Sequence, residues 1–160
     1  MRHDLVIHEP DAAQIDALLE RFLADAACAA VLLIERSGEP LAMAGAARTL
    51  DTVSIAALAA GAFSSTAALA RLLGESEFSV LFHEGAKESL HVSTVDDDAI
   101  LLAIFDERTT VGMVRLFARE ASRRLGAILV EARRRPRRTG VLAAPLTPEE
   151  VRSAIRQRPA

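Results

Sequence analysis

His83 and His91 flank a turn at a spacing that lets two imidazoles meet across a hairpin, the start of a metal site. No third ligand stands at a suitable spacing, so the pair predicts no metal. Asp96-Asp97-Asp98 has the carboxylate density of a calcium loop but lacks its central Gly and distant bidentate Glu, and a solvated turn accounts for it. Cys28 sits between alanines ahead of an apolar run and reads as a small core residue rather than a nucleophile. Ser64-Ser65 have no His-Asp arrangement beside them, and no Gly-x-Ser-x-Gly turn exists. A phosphate-cradling glycine loop is missing too. Arg108, in Asp106-Glu107-Arg108-Thr109, has two readings: an arginine finger offered to a nucleotide, or a loop residue paired with Asp106 or Glu107 before a helix cap. These residues predict a protein that is not an enzyme, with no catalytic residue, metal or cofactor of its own.

The elements that would position any such residue are legible from periodicity. Pro10 suits a first helical turn and Asp11 adds favourable charge there; Ile15, Leu18, Leu19, Phe22 and Leu23 then recur at helical spacing. Val31-Leu32-Leu33-Ile34 and Leu41-Ala42-Met43-Ala44, joined by Arg36-Ser37-Gly38-Glu39, predict a hairpin. Asp51 or Thr52 caps a second helix running to about Leu73, with Gly74 just past its end. Strands follow at residues 78–83, 90–95 and 99–105, with turns at Glu84-Gly85-Ala86-Lys87 and Asp96-Asp97-Asp98. A last helix starts near Thr109 or Thr110, with Val111, Val114, Phe117, Ala118, Ala121, Leu125, Ile128 and Leu129 as its core face. The order α-β-β-α-β-β-β-α predicts an α/β sandwich with a mainly antiparallel five-stranded sheet flanked by helices.

The second helix is unusual because no charged residue occurs from Thr52 to Ala70. Surface helices carry a polar face opposite their core face. The reading places Ile55, Leu58, Ala62, Phe63, Thr66, Leu69 and Leu73 inward and Ala57, Ala60, Gly61, Ser64, Ala67 and Ala68 outward, with Arg71 at the end. Too few of these side chains are large and apolar for a membrane span. A small, uncharged outer face lets another backbone approach, so the helix expects protein on both sides. An Ala-rich surface in an Ala-rich chain is the competing reading; the missing charge is what favours a partner.

With 160 residues the chain forms one domain with a tail, large enough to bury a core unaided. A composition of 51% hydrophobic and 26% charged residues is globular rather than disordered. One cysteine excludes an intrachain disulfide, and no N-terminal apolar run marks a signal peptide, so the chain reads as cytoplasmic. From Arg133 onward there are eight Arg and two Glu, leaving eleven basic and twenty acidic residues before it. An acidic body without Trp or Tyr argues against nucleic-acid binding. The domain spans residues 1–132, a basic linker 133–145 and a tail 146–160. In that tail Thr147-Pro148-Glu149-Glu150 forms a capping box, stapled by Leu146 and Val151, that specifies a short helix carrying Ile155.

Several segments resemble the Roadblock/LC7 family in its bacterial MglB-type branch. They are Leu50-Asp51-Thr52 through Ala59-Ala60-Gly61, Gly74-Glu75-Ser76-Glu77-Phe78, Phe82-His83-Glu84-Gly85-Ala86-Lys87-Glu88-Ser89-Leu90 and Ile104-Phe105-Asp106-Glu107-Arg108-Thr109-Thr110-Val111-Gly112. The resemblance covers about residues 5 to 132. It implies a homodimer that pairs its second helices and extends one sheet across the two-fold axis. It also implies binding to an MglA-like Ras-family small GTPase in its GTP form and acceleration of GTP hydrolysis, in the setting of cell polarity and gliding motility. Carried onto this chain, the contact helix presents Ala57, Ala60, Gly61, Ser64, Ala67, Ala68 and Arg71, while Leu146, Val151 and Ile155 of the tail are expected to dock on the GTPase. A Roadblock scaffold that recruits partners without changing hydrolysis is the alternative.

Overall fold

The computed structural model describes residue 5 and residues 7–135. The expected tail helix, with Leu146, Val151 and Ile155, lies outside the described residues, as does the linker from residue 136 onward. Three α-helices and five strands form the body: α1 (Glu9–Asp25), β1 (Ala30–Glu35), β2 (Pro40–Gly45), α2 (Thr52–Leu72), β3 (Val80–His83), β4 (Ser89–Asp96), β5 (Ala99–Phe105) and α3 (Val111–Arg134). A 3-10 turn at Ala46–Thr49, which periodicity did not signal, leads into α2. All strand pairs are antiparallel, in the order β2-β1-β5-β4-β3.

Strand β5 is buried at every position, as an uninterrupted apolar run between two covered faces requires. On one face α1 and α3 pack Ile15, Leu19, Phe22, Leu125 and Leu129 against Val31, Leu33, Leu101 and Ala103. On the other, Leu32, Ile34, Ile100 and Leu102 meet Ala56, Ala60 and Phe63 of α2. Burying one such aromatic or branched side chain contributes about 1.5–3 kcal/mol. The expected strand at residues 78–83 begins only at Val80; as the sheet edge it is held by β4 alone. Val111, expected in the core face of α3, is exposed in the first turn, while Ser122 and Ala132 are buried.

The first arginines of the basic run belong to the body. Helix α3 continues through Arg134, Arg133 is bonded to Asp96, and Arg135 donates to the buried Asp11 carboxylate at 2.7 Å. The last turn of α3 is thereby tied to the β4–β5 turn and to the start of α1.

Candidate functional site

Helix α2 is closed at both ends by local chemistry. The Asp51 carboxylate accepts from the Ser54 backbone N–H at 3.2 Å, and those hydrogen bonds hold its carboxyl below the ordinary carboxylate range. Gly74, with φ of 82°, ends the helix, and Glu75 N–H reaches the Ala70 carbonyl at 3.0 Å. Within the helix, Ser65 Oγ donates to the Gly61 carbonyl and Thr66 Oγ1 to that of Phe63, so these hydroxyls do not depend on water.

The inward face overlaps the one expected but is rotated from it: Phe63 is buried and Ile55, Ala62 and Thr66 half-buried as read, while other positions differ. Ala56, Ala60, Phe63 and Ala70 are its buried residues. Ala60, placed outward by the sequence reading, is only 5% exposed, and Ala67 is half-buried. Leu58, Leu69 and Leu73, placed inward, are 74%, 50% and 67% exposed. The residues seated on the sheet are mostly small: Ala56, Ala60 and Ala70 are buried, Phe63 is the one large fully buried side chain, and Ile55 packs beside them partly buried. Ala57, Gly61, Ser64, Ala68 and Arg71 are exposed as expected.

The open face is therefore more apolar than a stripe of small residues. Ser54, Leu58, Gly61, Ser65, Ala68 and Leu72 are all exposed and follow one another at alternating steps of four and three residues. That is the period of a coiled-coil seam. Gly61, Ser65 and Ala68 form its low middle, and Leu58 and Leu72, the latter 84% exposed, stand on either side of it. A Cβ added to Gly61 would meet nothing within 4 Å. Over its most apolar eighteen-residue window α2 has a mean hydropathy of 1.7, yet only 22% of that window is buried. This 4-3 alternation was the available sequence signal for Leu58 and Leu72; the missing charge showed that a face was open but not which one.

The other candidate residues are scattered. Strand register pairs His83 with Leu90 and His91 with Phe82, so His83 and His91 project from opposite sheet faces and cannot share an ion. Among the described residues no group of three metal-ligating side chains forms. Cys28 is buried, and desolvation pushes its thiol up to about 11, which leaves it unreactive. Arg108 is bonded to the Asp106 carboxylate at 2.8 Å, the loop-pairing alternative. Asp98 N–H donates to Asp96 Oδ1, closing the turn read from the triple Asp.

Two of the motif segments meet at one end of the sheet. Glu84, Lys87 and Glu88 of the β3–β4 turn face Asp106 and Arg108 across an open cleft of about 830 Å³. Phe82 and Phe105 stack beneath it with centroids 6.2 Å apart. Its charges are mixed and Arg108 is already neutralised, so it offers no single ligand chemistry.

The Roadblock/LC7 domain model matches residues 14–105. Among solved structures the chain is similar to MglB of Myxococcus xanthus, with 39% identity, a TM-score of 0.74, and 80% of this chain and 96% of that one covered. An MglB described as having a tetrameric arrangement is 31% identical, with a TM-score of 0.77 over 82% of this chain and 99% of its own. The gliding protein MglB of Thermus thermophilus is 32% identical, with a TM-score of 0.75 and the same coverages of 82% and 99%. No curated protein matches.

Proposed function

The chain belongs to the Roadblock/LC7 family, and from that premise we propose that it is a homodimeric regulator that binds an MglA-like Ras-family small GTPase in its GTP form and stimulates hydrolysis. The observation that carries the reading is the exposed, uncharged 4-3 seam of α2. In an isologous dimer the same seam serves both protomers, and its low middle at Gly61 and Ser65 lets two α2 backbones approach. Ala57, Ser64 and Arg71 flank the seam and, with Ala68 of the seam itself, form the GTPase-facing surface. Ala60 and Ala67 support it from beneath. Edge strand β3 is free to extend the sheet across the two-fold axis.

The mode of action is positioning. Arg71 is the one charged residue on α2, so the helix pair works by holding the GTPase switch loops where that enzyme's own residues orient water and neutralise charge. The same paucity of charge favours a second reading, a scaffold that recruits its partner without altering turnover. Single-turnover GTP hydrolysis by the cognate GTPase, with and without this protein, separates the two. Acceleration lost in Ser64→Arg supports the regulator. Binding without acceleration, equal for GTP and GDP forms, supports the scaffold. Acceleration unchanged in Ser64→Arg removes the proposed surface.

A further inference from the structure

On the sheet face opposite α2, a cleft of about 320 Å³ opens between β3, β4 and α3. Its floor holds His91, Ser93 and Ser122, and its α3 rim carries Arg115, Arg119 and Arg123. His91 is 1% exposed, and neither ring nitrogen has a hydrogen-bond partner. A buried imidazole without partners forgoes the hydrogen bonds it would make in water, which marks a place where something polar is missing. Ser93 and Ser122 Oγ lie 3.3 Å apart and share a single hydrogen bond, so lone pairs and one hydroxyl proton are left over.

The charge around this pocket has one sign. Arg115, Arg119 and Arg123 stand one helical turn apart on α3, and no carboxylate is among the lining residues. Glu120 engages Arg123 at 2.9 Å and Arg124 at 2.8 Å. Among the described residues no carboxylate pairs with Arg115 or Arg119. Burial, and then the Arg115 charge, keeps the His91 imidazole below its ordinary range and therefore neutral at pH 7, with one N–H to donate.

We propose that this cleft binds a phosphate-class oxyanion, seated on His91, Ser93 and Ser122 and held by the Arg115 and Arg119 guanidinium groups. Two guanidinium forks, an imidazole N–H and a serine hydroxyl offer more donors than the two oxygens of a carboxylate can accept, whereas a tetrahedral oxyanion can use them. The volume sits at the small end for a ligand pocket and suits one phosphate group, free or borne on a small ester. The site is independent of the α2 surface and does not rest on the GTPase reading.

The test follows the His91 ring by NMR through a pH titration of the purified full chain, at constant ionic strength, with inorganic phosphate, phosphoserine or acetate added. His91→Gln assigns the signal among the four histidines. Inorganic phosphate should raise the His91 midpoint by about one pH unit, as a nearby opposite charge does, and leave Arg115→Gln/Arg119→Gln unmoved. Both arginines are exposed, so that variant keeps its fold. A shift by phosphoserine at lower concentration than by phosphate identifies an ester-borne group as the source; the reverse identifies the free ion. An equal shift with acetate, an equal shift in the double variant, or no shift at all overturns the proposal.

Discussion

Arg36, in the β1–β2 turn, donates to Glu77, between α2 and β3, across 2.5 Å and forty-one residues of sequence. Glu77 also accepts from Thr94 Oγ1 at 3.1 Å, and the Arg36 guanidinium lies 5.3 Å over the Phe63 ring. The segment leaving α2 is thus pinned to the sheet at the level of the helix's one bulky core residue. Both ion-pair side chains keep some solvent contact, 25% and 33%, so Glu77→Gln should lower stability by only about 1 kcal/mol. A urea midpoint that does not move would show that the pair contributes nothing.

Leu58→Asp tests the open face at one of its two exposed leucines. Because Leu58 is 74% exposed, the change should alter unfolding free energy by no more than about 0.5 kcal/mol. It should reduce GTPase stimulation at least tenfold, or dissociate the dimer in sedimentation. A folded, dimeric and fully stimulating variant would contradict the assignment.

Gly45 ends β2 with φ of 70°, and a Cβ built there would lie 2.7 Å from the Ala29 carbonyl and from Leu23 Cδ1. Gly45→Ala therefore meets both an unfavourable backbone region and a backbone oxygen that cannot move aside. We expect a loss of about 2 kcal/mol or more, read from the denaturation midpoint.

His91 sets a pH dependence whose sign is fixed by its burial. Its folded-state pKa lies below the unfolded value of about 6.5, so the unfolded chain takes up the proton first as pH falls. Stability from this group is present above pH about 6.5 and is lost as the pH drops from there through the folded pKa. Between pH 7.5 and 5.5 the wild-type protein should lose more stability than His91→Gln. Parallel losses in the two proteins would remove His91 as the cause.

Ending the chain after Arg138 keeps Arg133 and Arg135 with their partners Asp96 and Asp11. That truncation should leave thermal stability unchanged. If Leu146, Val151 and Ile155 dock on the GTPase, it should also weaken GTPase binding or alter nucleotide kinetics. Unchanged affinity and kinetics would show that the tail does not take part.

Much of this protein is determined locally. Helical spacing, short apolar runs and one alternating strand mark the three α-helices and five strands of the described residues, Asp51 and Gly74 bound α2, and the absence of charge from Thr52 to Ala70 sets it apart from an ordinary surface helix. The motifs that carry the Roadblock/LC7 resemblance are continuous stretches, so they too are readable without a structure. The tertiary structure decided which face of α2 looks outward. A helix without charge from Thr52 to Ala70 has no charged side to orient it, and packing against the sheet is what buries Ala56, Ala60 and Phe63 rather than the leucines. It also decided that His91 looks into an arginine-rimmed cleft while His83 faces the other side, because strand register and the path of α3 are properties of the assembled sheet. The Arg36–Glu77 and Asp11–Arg135 pairs join residues far apart in sequence, and no local pattern contains them.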